Sequence, residues 1–269
     1  MRFCTNISLL FADAPLPERF ARARAAGFDT VELWWPSGHD LADIRAAAAD
    51  ADVDVALLNF DGGDMAAGER GLASDPSRQQ EFRDNVPVAL DLAAALGATR
   101  LNALVGLRIS GMELDEQLAL ARENVRFAAD RAVETGAQVL IEAVNTIENG
   151  PYLLPTTRAA SEFVASVERE NVRLQYDAYH MQRMEGDLSA TIERHLPEIA
   201  HIQIADAPGR GQPGTGEINY AFLLPHIERL GYVGYVGLEY KPPGGDTEAS
   251  LEWLPREQRA ARPAAATRT

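Results

Sequence analysis

Eight short apolar runs punctuate the chain, separated by longer stretches whose apolar residues recur at helical intervals. The runs are "RFCTNIS" (2–8), "TVELWW" (30–35), "VDVALLNF" (53–60), "TRLNALVG" (99–106), "QVLIEAVN" (138–145), "VRLQYDAYH" (172–180), "IAHIQIAD" (199–206) and "YVGLEYK" (235–241). Each has strand length, and near-continuous apolarity marks strands covered on both faces. Between them, "LPERFARARAAGF" sets Phe20 and Ala23 on an apolar side and stops at Gly27. "DLADIRAAAADA", a segment from Arg78 to "ALGA", "LDEQLALARENVRFAADRAVETG", "TTRAASEFVASV", "LSATIERHL" and "YAFLLPHIERLGY" also read as helices, and a last one starts near Thr247.

Strand–helix alternation predicts an α/β fold with a parallel sheet, and eight repeats predict a single (β/α)8 barrel, the TIM barrel, over residues 1–254. An open doubly wound sheet would carry a Gly-rich phosphate turn after an early strand, and none is present. The low-complexity end, residues 255–269, is expected to be a disordered tail. After the third run, "DGGDMAAGERGLASDPS" is too long for a bare connector and is expected to serve function.

Composition narrows the partners. Lys plus Arg number 25 against 40 Asp plus Glu, a net charge of -15. Such a surface repels phosphate backbones, and no local basic patch offsets it, so no nucleic acid is expected. The single cysteine, Cys4, excludes a disulfide framework and suits a reducing cytoplasm. "MRFCTNISLLF" has no signal-peptide pattern, and no apolar run reaches membrane-spanning length, so a cytoplasmic protein without a membrane partner is expected. A homo-oligomer stays an option.

The last four strands share one feature. Strand five ends on Glu142, strand six on Asp177 and strand eight on Glu239, while strand seven carries Gln203. Side chains alternate across a strand, so Leu140 and Glu142, Gln175 and Asp177, His201 and Gln203, and Gly237 and Glu239 share faces. A barrel directs such positions to its C-terminal mouth, where active sites of this fold lie. A lone acid at a strand end is more often a cap, but three acids and an amide on four consecutive strands point to one site. Converging carboxylates remain ionised only beside a cation. This all-oxygen set suits a divalent metal, Mg2+ or Mn2+. Gln175 and His201 are placed to orient these ligands from below. Asn6, Glu32 and Asn59 share the inward parity on the first three strands, and Trp34 or Trp35 can wall the pocket. His39, His195 and His226 receive no role.

"QYDAYHMQRMEGDL", "HIQIADAPGRGQPGTGEINY", "GYVGYVGLEYKP" and "AAGERGLASDPSRQQEFRDN" resemble the hydroxypyruvate isomerase family, among the xylose-isomerase-like barrels. The resemblance runs over most of residues 1–254 and implies the same metal quartet, Glu142, Asp177, Gln203 and Glu239, with Glu142 and Glu239 as the proton donor/acceptor pair. It implies an aldose–ketose isomerase that interconverts hydroxypyruvate and tartronate semialdehyde through an enediolate. Close relatives act on 2-oxo-tetronate, and related barrels are ketose 3-epimerases. Gln203, where those epimerases carry histidine, favours the first branch, whereas Glu148, six residues after Glu142, resembles the epimerase spacing. The expected partner is therefore a small hydroxy-oxo acid or a sugar. His180 and Lys241 lie where they can polarise a substrate oxygen, and Arg210 is the expected clamp for a substrate carboxylate. Glu69 and Arg70 are expected either to close over the site as a lid or to form a surface pair. A silent sugar-acid binder and a histidine-rich endonuclease site rank below these readings.

Overall fold

The structure is a computed structural model and describes residues 1–261. Eight parallel strands follow one another in chain order: β1 (Arg2–Asn6), β2 (Thr30–Leu33), β3 (Asp54–Asn59), β4 (Arg100–Asn102), β5 (Gln138–Glu142), β6 (Val172–Asp177), β7 (Ile199–Ile204) and β8 (Tyr235–Leu238). β8 pairs back onto β1, so the sheet is a closed TIM barrel. The helices are α1 (Leu16–Ala25), α2 (Leu41–Asp50), α3 (Gln79–Ala95), α4 (Leu114–Ala132), α5 (Thr146–Asn149), α6 (Thr157–Val167), α7 (Ala178–Met184), α8 (Leu188–His195), α9 (Tyr220–Arg229) and α10 (Thr247–Ser250). Phe20, Ile44, Phe82, Val125, Phe163 and Ile192 are among the buried helix residues that cover the strands. Among the described residues no helix is long and apolar enough to cross a membrane.

All eight expected strands are present, each shorter than its apolar run. The sixth differs most. The run reads to residue 180, but the strand stops at Asp177, whose side chain accepts from the backbone N–H groups of Tyr179 and His180 and starts α7. Two bulges set which side chains share the interior. Leu174 pairs with Ile199 but Gln175 with His201, so Ala200 is the extra residue and Asp177 comes to lie beside Gln203. Without that slip Asp177 would neighbour Ile202, and the two polar groups would face opposite sides. A second slip aligns Glu32 with Leu57 rather than Ala56.

The tail departs from expectation. Residues 255–261 are packed against α1 instead of being disordered. Arg256 donates to the Ala25 carbonyl at 2.6 Å and Arg259 to the Ala26 carbonyl at 2.9 Å, satisfying acceptors that the end of a helix leaves open. Residues 262–269, the rest of the expected tail, lie outside the described residues.

Beneath the mouth, Glu32 is buried at the centre of a polar layer. Its oxygens accept from Asn6 (3.1 Å) and Gln203 (2.7 Å), and His201 Nε2 lies 2.6 Å away. The Cys4 thiol reaches it at 3.5 Å and is itself fully buried. Room for this carboxylate exists because residue 237 is glycine: a Cβ there would fall onto Glu32 Oε2.

Candidate active site at the barrel mouth

β5, β6 and the end of β8 bring Glu142, Asp177 and Glu239 together in a buried cluster. Each carboxylate is held by specific donors. Asn102 on β4 donates to Glu142 Oε2 at 2.8 Å. Asn6 and the Trp34 indole donate to Glu239 Oε1 at 3.0 and 2.8 Å. Asp177 Oδ1 caps α7, while its Oδ2 is buried without a hydrogen-bond partner. That oxygen lies 3.6 Å from His180 Nε2 and 3.8 Å from Arg210 Nη2.

Burial, then the charges of Glu239 and Asp177, push the Glu142 carboxyl well above the usual carboxylate range. Burial also raises Asp177. Glu239 is pushed up to about 7 by burial, against the opposing pull of Arg210.

His180 is oriented by a chain of hydrogen bonds. Asn145 Oδ1 accepts from the Glu148 N–H at 3.0 Å and caps α5, which leaves Asn145 Nδ2 to donate to His180 Nδ1 at 2.7 Å. The proton of the ring therefore sits on Nε2, the nitrogen facing Asp177 and, at 3.9 Å, Glu142. Burial and the charge of Arg210 hold the imidazole well below its usual value, so it is neutral.

Arg210 arrives on the loop after β7. Asp206 organises that loop by accepting from four backbone N–H groups, those of Ala207, Gly214, Gly216 and Ile218. Arg210 itself takes a left-handed φ of 54°, and its carbonyl accepts from the Lys241 N–H at 2.7 Å. Its guanidinium turns inward onto Glu239 and Asp177. Sequence had offered this group to a substrate carboxylate; here its charge is already engaged by the protein.

The remaining expected residues separate. Gln203 lies beside Asp177, its Oε1 accepting from Gln175 at 2.6 Å and its Nε2 donating to Glu32. Arg70 lines the same inner cavity as Glu142, His180, Arg210 and Glu239. The Glu69 carboxylate forms no ion pair with it; that carboxylate binds Arg78 and the Asp64 N–H, fastening the loop to itself. Lys241 is exposed and lines neither cavity at the mouth. Asn102 and Asn145 were missed. Asn102 carried a signal, a polar residue inside the apolar run "TRLNALVG", in the manner of Asn59 in "VDVALLNF".

The donor set fits a divalent cation. Three carboxylates and one guanidinium leave a formal charge of -2, and Asp177 Oδ2 has no protein donor. Glu142, Asp177 and Glu239 have oxygens in the cluster, and Gln203 Oε1 keeps one lone pair beyond its bond to Gln175.

The chain belongs to the xylose isomerase-like TIM barrel family, whose profile matches residues 20–257. Hydroxypyruvate isomerase of Escherichia coli (strain K12) is 42% identical over 254 residues, 94% of this chain and 98% of its own. A 2-oxo-tetronate isomerase of Cupriavidus necator is 38% identical, covering 94% of this chain and 97% of that one. Among solved structures, an AP endonuclease, family 2, from Brucella melitensis superposes with a TM-score of 0.89 at 40% identity, over 94% and 97% of the two chains. A D-psicose 3-epimerase from Clostridium cellulolyticum H10 shares the fold, with a TM-score of 0.77 at 20% identity over 97% and 100%. Within the family this chain falls with the hydroxypyruvate isomerases, and it is an isomerase.

Proposed function

We propose that the protein interconverts hydroxypyruvate and tartronate semialdehyde. The observation that carries this reading is that two buried carboxyls, Glu142 and Glu239, line one inner cavity of about 60 Å³ together with a neutral imidazole. Moving a carbonyl between neighbouring carbons requires one proton to leave C3 and one to reach C2, while the hydroxyl proton passes from the C3 oxygen to the C2 oxygen. Glu142 and Glu239 serve as the base and acid of the two carbon steps. Without a cation, burial favours the protonated form of Glu239 and the charge of Arg210 opposes it. His180 Nε2–H donates to a substrate oxygen, where negative charge grows in the enediolate. Arg210 holds Glu239 in place and balances Asp177.

Glu142, Asp177, Gln203 and Glu239 are the residues that would hold the metal, with Mg2+ or Mn2+ the match for oxygen donors. Such a cation, when bound, supplies charge stabilisation at the substrate oxygens. A lone buried cysteine fits a reducing cytoplasm.

A second reading, 2-oxo-tetronate, is favoured by the Cupriavidus necator relative and by an adjoining cleft of about 550 Å³, which shares Trp34, Asn59, Met65 and Leu104 with the inner cavity and has room for a fourth carbon. An endonuclease reading is opposed by the net charge of -15 and by a cluster with a single histidine.

The test is turnover of purified protein on hydroxypyruvate, 2-oxo-tetronate, tagatose and fructose, with and without EDTA. Loss on chelation and recovery with Mg2+ or Mn2+ are expected for one of the acids. Turnover of the neutral sugars alone would overturn the assignment.

A further inference from the structure

We propose that Arg70, on the loop between β3 and α3, receives the substrate's carboxylate and is the residue that selects an acid over a neutral ketose. The proposal rests on the reading above that the substrate is a small acid.

Two guanidiniums face the inner cavity, and their surroundings differ. Arg210 is bonded to Glu239 and lies beside Asp177, so its charge is already balanced. Arg70 is held only by neutral acceptors. Its Nε donates to Asn149 Oδ1 at 2.7 Å, and its Nη1 donates to the carbonyls of Met65 and Glu69 at 3.0 and 2.6 Å. Among the described residues, no carboxylate forms an ion pair with it and none accepts from its Nη2. A half-buried cation held this way keeps its full charge for an anion, and guanidinium geometry matches carboxylate. Burial, followed by repulsion from Arg210, lowers Arg70 below its usual value, so an anion beside it relieves both costs.

The loop holds Arg70 firmly. Gly71 has a φ of 111°, and a Cβ there would fall onto the Leu104 carbonyl after β4, so the backbone lies directly against the neighbouring loop. The Gly71 N–H bonds the Gly62 carbonyl at 2.9 Å, closing the loop on itself. Glu69, bonded to Arg78 and the Asp64 N–H, pins the far side. Asn149 sits just beyond β5 on α5, so the guanidinium bridges two of the loops that frame the mouth. A guanidinium fixed in this way loses little freedom on meeting an anion.

The test uses the full chain with Mg2+ in wild-type, Arg70→Met and Arg70→Lys forms. Calorimetric titration with glycerate, an acid that cannot isomerise, measures the carboxylate contact directly. Arg70→Met is expected to weaken glycerate binding roughly 10- to 100-fold, with Arg70→Lys between the two. On hydroxypyruvate the same change is expected in KM, with kcat altered less than about threefold. Equal glycerate affinity in wild type and Arg70→Met, or no glycerate binding by wild type, would overturn the proposal. Should Arg70→Met fail to fold, Arg70→Gln supplies the same comparison. If wild type binds glycerate through Arg70 but turns over neither hydroxypyruvate nor 2-oxo-tetronate, the substrate proposed above fails and the anion site stands.

Discussion

Asp177 and His180 are joined twice. Asp177 Oδ1 accepts the His180 backbone N–H at 3.3 Å, while Oδ2 lies 3.6 Å from His180 Nε2. One oxygen starts a helix and the other stands beside the imidazole, so a single side chain both caps α7 and belongs to the buried carboxylate cluster.

The two roles can be separated by substitution. Asparagine caps a helix about as well as aspartate but carries no charge. Asp177→Asn is expected to unfold within about 0.5 kcal/mol of wild type and to lose isomerase turnover at least roughly 100-fold. Asp177→Ala should cost about 1 kcal/mol more in urea unfolding. Full activity in the asparagine variant would remove Asp177 from the site.

Glu239 is bonded to Asn6, Trp34 and Arg210, and glutamine preserves its shape. Glu239→Gln is expected to lower kcat by roughly 10²- to 10⁴-fold while glycerate still binds. Retention of kcat would assign the proton transfer elsewhere.

Stability should carry the sign of these buried acids. Glu239 rises from 4.5 to about 7 on folding, so the folded state holds its proton more tightly than the unfolded chain. Its contribution is complete below pH 4.5 and is lost as pH climbs through about 7, amounting to about 3 kcal/mol. EDTA-treated protein is therefore expected to weaken from pH 4.5 to 7 more steeply than EDTA-treated Glu239→Gln. Added Mg2+ or Mn2+ should stabilise more at pH 7 than at pH 5. Denaturant unfolding at the two pH values measures both effects, and identical slopes in the two proteins would contradict this account.

Gly237 tests the layer below. An added methyl would collide with Glu32, the acceptor for Asn6 and Gln203. Gly237→Ala is expected to cost about 1–3 kcal/mol in urea unfolding. An unchanged midpoint would mean that Glu32 moves freely.

Much of this was readable in the chain because the barrel repeats a local pattern. Eight apolar runs marked eight strands, and parity within each strand put Glu142 on the face of Leu140, Asp177 on that of Gln175 and Gln203 on that of His201. What escaped was non-local. The bulge at Ala200 depends on how β7 meets β6, not on either strand. The inward turn of Arg210 depends on Asp206 gathering a loop and on a left-handed residue within it. Residues 255–261 looked featureless in composition, yet two arginines there find the last carbonyls of α1. Glu69 and Arg70 are adjacent in sequence but serve different neighbours, which no spacing rule distinguishes.

Cys4 lies sealed beneath Glu32, and burial followed by that carboxylate's charge raises its thiol well above the ordinary range. The native thiol is thus sheltered from alkylating reagents and from air oxidation in the folded protein. Cysteines introduced on the mouth loops would therefore accept fluorescent or spin labels selectively, against a silent background, without first removing Cys4.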